Sequence, residues 1–210
     1  MPVRISFSVA VALMPALILA GCTCSSMPSR VRPPDVDPSS AAAEAVKQYD
    51  KDGDGAVAGK ELETAGSLAS RLTLIDGNGD KKVTQDEIQA AITDLLGKGV
   101  GLTTFQCKVT VKGAPLAGAE VKFVPESFMQ GAILPAKGTT DESGIAVIAL
   151  DSSQLPEAQQ HLSNVVQPGF YRVEITHPQT KLPAKYNSAS TLGQVISPNS
   201  AELAVAEFAL

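Results

Sequence analysis

The chain has 210 residues, of which 44% are hydrophobic, 4% aromatic and 19% charged, with a net charge of −5 and no tryptophan. Proteins that bind nucleic acid usually present basic patches and stacking aromatic side chains. The acidic balance and the few aromatic residues therefore argue against a nucleic-acid partner.

The first 21 residues are predicted to be a lipoprotein signal peptide. Arg4 gives a positive start, residues 5–20 are almost entirely apolar, and Leu19-Ala20-Gly21-Cys22 ends the run with small residues before a cysteine. This ending resembles the lipobox of bacterial lipoproteins. The resemblance implies cleavage before Cys22, a lipid on that cysteine and anchoring to a membrane of the cell envelope, at its periplasmic or extracellular face. A retained transmembrane helix is the alternative, but a run of about 16 residues is short for a span.

Residues 22–40 are predicted to be a disordered linker, because serine and proline dominate them. Two of the three cysteines, Cys22 and Cys24, lie in this stretch, and the third is Cys107. With a lipid on Cys22, the other two would remain in a compartment that permits disulfides. Their spacing does not decide between a disulfide and two free thiols.

Residues 41–97 are predicted to be a helical domain. Apolar residues recur at helical spacing at Ala42, Ala45, Val46 and Tyr49, and again within 68–75 and 88–95. Two acidic, glycine-rich segments interrupt these stripes at 50–61, the first loop, and at 76–87, the second loop. The pattern indicates a pair of EF-hands.

The first loop matches the EF-hand pattern D-x-[DN]-x-[DN]-G-x5-E at every specified position. Positions 1, 3, 5 and 12 supply carboxylate oxygens, glycine at position 6 permits a sharp turn, and position 7 offers its backbone carbonyl. The predicted calcium ligands of this loop are Asp50, Asp52, Asp54, Ala56 and Glu61.

The second loop is a poorer match. Its predicted ligands are Asp76, Asn78, Asp80, Lys82 through its carbonyl, and Glu87. Position 6 is Lys81, and a side chain at positive φ costs about 1 kcal/mol. Thr84 and Glu87 form a capping pattern for the next helix. Because Asn78 is neutral and Lys81 is strained, we expect tighter binding at the first loop.

The two loops are expected to pair. Val57 and Val83 both stand at position 8, which predicts that they face each other on a short two-stranded ribbon. The loops begin closer together than in calmodulin-like pairs, which implies short helices around Gly66. The arrangement is similar to compact bacterial EF-hand and dockerin-like proteins. The alternative for each loop is an acidic surface turn without metal.

Residues 102–210 are predicted to form an antiparallel β-sandwich. Apolar alternation predicts strands at 104–112, 120–124, 145–150, 170–176, 192–196 and 203–210, separated by glycine- and proline-rich turns. The segments 113–125, 138–144 and 169–175 resemble a carboxypeptidase-regulatory-like (transthyretin-like) domain. That family is mainly noncatalytic, so the resemblance implies a folding or interaction module. Asp141 is interpreted as a turn residue.

The sequence lacks the motifs of catalysis. His161 and His177 stand apart from any metal-protease or nucleophile motif, and there is no phosphate-binding loop or dinucleotide fingerprint. We therefore predict a non-enzymatic α+β multidomain protein: an exported, membrane-anchored lipoprotein whose bound calcium stabilises the helical domain or its contacts. The alternative is an adhesion or protein-interaction module in which calcium only rigidifies the spacer. An unidentified protein partner is left open.

Overall fold

The computed structural model describes residues 31–198 and 205–210. The predicted signal peptide and the cysteines Cys22 and Cys24 lie outside these residues. The first part of the chain contains α1 (Pro38–Tyr49), β1 (Ala56–Ala58), α2 (Gly66–Ala69), α3 (Leu72–Ile75), β2 (Lys82–Thr84) and α4 (Gln85–Gly97). The second part contains β3 (Phe105–Val111), β4 (Ala114–Pro115), β5 (Glu120–Pro125), β6 (Ala136–Thr139), β7 (Ile145–Leu150), β8 (Gly169–Thr176), β9 (Gly193–Ile196) and β10 (Ala206–Ala209).

One curled sheet takes the place of the predicted two-sheet sandwich. Its strands run in the order β10-β3-β7-β6-β5-β8-β9, and β4 also pairs with β3. The neighbours are antiparallel except β10, which lies parallel to β3. The predicted sandwich is wrong because β6 pairs with β5 on one side and β7 on the other. Strand β6 thereby joins β5 and β7, which a sandwich would divide between two sheets.

Strand β6 is not predicted from the sequence because its composition is poor in β-forming residues. Its sequence is Ala-Lys-Gly-Thr, and glycine weakens a strand unless another backbone approaches closely. Such an approach occurs here, since a Cβ built on Gly138 would lie 2.3 Å from the carbonyl oxygen of Val147 in β7. Five of the six strands that the sequence predicts are confirmed, at β3, β5, β7, β8 and β9. The last one is present as β10, although 203 and 204 lie outside the described residues.

The predicted paired EF-hand helical domain is also wrong. After the first loop, residues 59–64 form turns where an EF-hand would have a helix. The local cause is that Ala58 has no side chain to cap a helix and Gly59 adopts φ +48°. Two helices of four residues each, α2 and α3, follow, as the spacing of the loops predicts around Gly66.

Helix α1 packs against α4. It begins within the segment predicted as linker, where the Asp37 side chain accepts a hydrogen bond from the Ser39 amide. Ala42 and Ala45 on α1 are fully buried, as are Ile88 and Ile92 on α4. Small alanines on one helix allow the branched side chains of the other to fill the interface.

The helices and the sheet share one hydrophobic core. The buried apolar side chains of both parts of the chain form a single cluster. Within the sheet, Phe123 makes edge-to-face contacts with Phe105, Tyr171 and Phe208, at centroid distances of 5.5, 5.8 and 6.4 Å. The helices are therefore packed onto the sheet instead of forming a separate helical unit.

Helix α2 meets the sheet through backbone contact with β9. A Cβ on Gly66 would lie 2.1 Å from the carbonyl oxygen of Thr191, and a Cβ on Gly193 would lie 2.0 Å from the amide nitrogen of Ser67. Neither position has room for a side chain. This contact fixes the segment between the two loops against the edge of the sheet.

Candidate metal centre

A short ribbon holds the two loops together. Strands β1 and β2 pair antiparallel, with Ala56 opposite Thr84, Val57 opposite Val83 and Ala58 opposite Lys82. The predicted pairing of Val57 with Val83 is confirmed, and both side chains are fully buried. Burial of the two β-branched residues anchors the ribbon in the core and leaves the acidic parts of the loops at the surface.

The aspartates of the first loop fold it by accepting hydrogen bonds from backbone amides. Asp50 accepts from Gly53 and Gly55 at 2.6 and 2.9 Å, Asp52 from Asp54 at 3.1 Å, and Asp54 from Ala56 at 3.0 Å. Gly55 adopts φ +86°, the left-handed conformation that position 6 requires. These bonds point the three carboxylates toward the inside of the turn.

The three aspartates come close enough to share one cation. One oxygen from each of Asp50, Asp52 and Asp54 lies within 4.8 Å of the others. Oxygens that bind one calcium ion at about 2.3–2.6 Å can be separated by at most about 5 Å. The three side chains therefore fit a common calcium ion. In the described part of the chain, no other carboxylate, imidazole or thiol groups meet in this way in threes or more.

Glu61 closes the first loop from its far end. Its Oε1 accepts from the Lys51 amide at 2.6 Å and from the Asp52 amide at 3.3 Å, and its Oε2 accepts from the Ala58 amide at 3.0 Å. The hydrogen bond from Lys51 is the main cause that lowers the pKa of the Glu61 carboxyl. The carboxylate thus stays charged beside the aspartates, although it lies outside their tight group.

The second loop repeats the same backbone pattern. Asp76 accepts from the Gly79 and Lys81 amides at 2.7 and 2.8 Å, and Asn78 accepts from the Asp80 amide at 2.8 Å. Asp80 in turn accepts from the Lys82 amide at 2.8 Å. Each of these bonds joins the same loop positions as its counterpart in the first loop. Positions 1 to 7 of the two loops therefore share one hydrogen-bonding pattern despite their different side chains.

Two local predictions for the second loop are confirmed. Lys81 adopts φ +65°, the strained conformation expected at position 6. Thr84 and Glu87 form a reciprocal capping box at the start of α4, in which the Glu87 carboxylate accepts from the Thr84 amide at 2.9 Å. Glu87 also accepts from the Gly77 amide at 3.1 Å, as Glu61 does from Lys51.

An ion pair between the two loops is not predicted from the sequence. Lys82 was assigned only through its carbonyl, yet its ammonium group lies 2.8 Å from Asp54 Oδ2 in the other loop. The hydrogen bond to Lys82 is the largest cause that lowers the pKa of Asp54. The predicted ribbon could have indicated this pair, because its register brings Lys82 of the second loop opposite Ala58 of the first loop.

The remaining sequence candidates take structural roles. Asp141 is confirmed as a turn residue: its Oδ1 accepts from the Ser143 and Ile145 amides at 2.9 and 3.0 Å. The Nδ1 atom of His177 accepts from the amides of Gln179 and Thr180 in the turn after β8. Cys107 lies buried in β3 as a free thiol.

The chain matches no family model, no curated protein and no solved structure. Among the residues that the structure describes, no helix is long and apolar enough to cross a membrane.

Proposed function

We propose that this protein binds calcium through its two loops, at the surface of a membrane to which a lipid on Cys22 anchors it. The observation that carries the proposal is the convergence of one carboxylate oxygen from each of Asp50, Asp52 and Asp54 within 4.8 Å of the others, in a loop whose hydrogen bonds at positions 1 to 7 recur in the second loop. Calcium prefers six to eight hard oxygen ligands in a flexible arrangement. The Ala56 carbonyl and Glu61 would complete such a set.

The first loop is the stronger of the two candidate sites. It offers three aspartates and a glutamate, and its position 6 is a glycine. The second loop offers Asp76, Asp80 and Glu87, but Asn78 is neutral and Lys81 is strained. More ligand charge and less strain favour the first loop. Modules outside the cytoplasm bind calcium at about 10⁻⁴ to 10⁻³ M, which is the range that we expect here.

Calorimetric titration of the full chain in detergent micelles tests the calcium proposal. Asp50→Asn should weaken binding by removing the charge at position 1. Asp141→Asn is the matched control, since Asp141 also folds a turn by accepting backbone amides but stands outside the loops. Absence of binding heat up to about 10 mM calcium, well above the expected range, would refute the proposal. Equal effects of the two substitutions would place the ion elsewhere.

The lipid anchor rests on the sequence that ends at Cys22 and needs its own experiment. Cells that express the chain are supplied with radioactive palmitate, and the purified protein is examined for label. We expect the label in the natural chain and its loss in Cys22→Ser, while Cys24→Ser should keep it. Equal labelling of both variants would refute a lipid on Cys22.

A further inference from the structure

A buried carboxylate lies where the loop-bearing segment meets the sheet. Glu126 directly follows β5 and is only 5% exposed. Tyr49 Oη donates a hydrogen bond to its Oε2 at 2.8 Å, and Ser67 Oγ donates one to its Oε1 at 2.7 Å. Among the described residues, the ion pairs of the protein do not include Glu126. Two hydroxyl groups therefore satisfy this carboxylate in place of a cation.

The two hydroxyl donors lie on either side of the first calcium loop. Tyr49 is the last residue of α1 and directly precedes Asp50, at position 1 of that loop. Ser67 belongs to α2, between the two loops. Burial, aided by the charge of Glu126, raises the pKa of Tyr49 well above its ordinary value, so its hydroxyl remains a donor. Glu126 thus bridges the chain before the loop and the chain after it.

Further contacts make this junction stiff. Ser127 Oγ donates to the Gln48 side chain on α1 at 2.5 Å, and the amide of Glu126 donates to the carbonyl of Phe170 in β8 at 3.0 Å. On the other side, α2 rests on the backbone of Gly193 in β9. Movement of Tyr49 or Ser67 relative to the sheet would break hydrogen bonds to a buried charged group, which are among the stronger ones in proteins.

We propose that Glu126 couples the first calcium loop to the sheet, so that an ion bound at residues 50–61 stabilises the sheet through Tyr49 and Ser67. The inference rests on the proposed calcium function. The side chain of Glu126 accepts from Tyr49 and Ser67, which are not predicted ligands of the ion, and it acts through Tyr49 as a positioning residue for Asp50. If the coupling is strong, opening of the sheet also releases the ion, and calcium then protects residues of the sheet that are remote from the loops.

Cys107 provides the probe. It is fully buried in β3, and it becomes the single thiol when the full chain carries Cys22→Ser and Cys24→Ser. The rate at which a thiol reagent labels Cys107 in detergent micelles then reports opening of the sheet. At a calcium concentration of a hundred times Kd, measured by calorimetry on the same sample, full coupling predicts about 100-fold slower labelling.

Two tyrosines form the matched pair of variants. Tyr49→Phe removes the hydroxyl that donates to Glu126, whereas Tyr171→Phe removes the hydroxyl of another buried tyrosine, which donates to the Gln167 carbonyl at 2.8 Å. Both variants should open more readily without calcium. Only Tyr49→Phe should reduce the calcium protection of Cys107, by about tenfold or more, as expected for loss of a hydrogen bond to a charged group.

Substitution of Glu126 itself gives a second reading. Glu126→Gln should keep most of the protection, since an amide can accept from Tyr49 and donate to Ser67. Glu126→Leu should lose the calcium protection of Cys107. If that variant does not fold, Tyr49→Phe alone tests the coupling. Normal calcium binding with equal protection of Cys107 in Tyr49→Phe and Tyr171→Phe would overturn the coupling alone. Absence of calcium binding in calorimetry would overturn the coupling and the proposed function together.

Discussion

Replacement of Gly193 by alanine tests whether the segment between the loops is packed onto the sheet. The new Cβ would lie 2.0 Å from the Ser67 amide nitrogen and 2.3 Å from the carbonyl carbon of Gly66. Ordinary contacts of a Cβ begin near 3.4 Å, so α2 and β9 would have to separate by more than about 1 Å. Backbone atoms cannot turn aside as a flexible side chain can.

The structure allows the cost to be worked out. A displacement of about 1 Å would stretch the hydrogen bond from Ser67 to Glu126, now 2.7 Å, beyond the limit of a hydrogen bond. Loss of a hydrogen bond to a charged group costs about 1.5–3 kcal/mol, and overpacking costs about 1–3 kcal/mol. Because the two effects share one displacement, we expect the free energy of unfolding to fall by about 3–5 kcal/mol.

Urea unfolding followed by circular dichroism, in the presence of a chelator, measures this loss. Gly97→Ala is the control, because a Cβ at the end of α4 meets no atom within 4 Å. That change should be neutral or stabilise the protein by up to about 1 kcal/mol. If the Gly193 variant unfolds at the same urea concentration as the natural chain, α2 is not packed on β9 and the segment between the loops is not held against the sheet.

Three further predictions concern charge. Glu61→Gln should weaken calcium binding more than Glu87→Gln in calorimetry, because the first loop carries more ligand charge; a larger loss in the second loop would contradict this. Lys82→Met keeps the carbonyl at position 7 and removes the ammonium group, which lies 2.8 Å from Asp54 and would compete with calcium for that carboxylate. The first loop should therefore bind calcium more tightly in this variant, with a difference that shrinks in high salt. Unchanged affinity would refute this competition. Burial raises the pKa of the Cys107 thiol from 9.0 to about 12, so this thiol ionises at a lower pH in the unfolded chain than in the folded protein. The contribution of the neutral thiol to the free energy of unfolding is therefore complete below pH 9 and is lost as pH approaches 12. The urea midpoint should therefore fall less in Cys107→Ala than in the natural chain between about pH 8 and about pH 10.5, and equal falls would refute it.

The loops were predictable because their information is local. Each aspartate folds its turn through amides within five residues, so the spacing of Asp50, Asp52 and Asp54 is enough to place their oxygens. The ribbon followed from two valines at equivalent loop positions, and the capping box from Thr84 and its partner three residues later. Such short-range patterns depend little on the rest of the chain.

The features that were missed depend on distant contacts. Nothing near Gly138 indicates a strand, because β6 forms only where the backbone of Val147 approaches. Likewise, Glu126 follows a strand in a position typical of a solvated charge, and its burial depends on Tyr49, which lies 77 residues earlier. The sandwich prediction failed for the same reason, since strand alternation shows which faces are buried but not which strands are neighbours.

The way the loops are attached argues for a structural ion over a sensor. In calcium sensors the ion changes the angle between the helices on either side of each loop and exposes an apolar groove. Here the first loop is followed by turns and not by a helix, and α1 before it is bound to Glu126 through Tyr49. Ser67 binds the same carboxylate, so the two sides of the loop are held to one point of the sheet. An ion at Asp50 would therefore stiffen an arrangement that is already closed, which is the behaviour expected of a stabilising site where calcium is abundant.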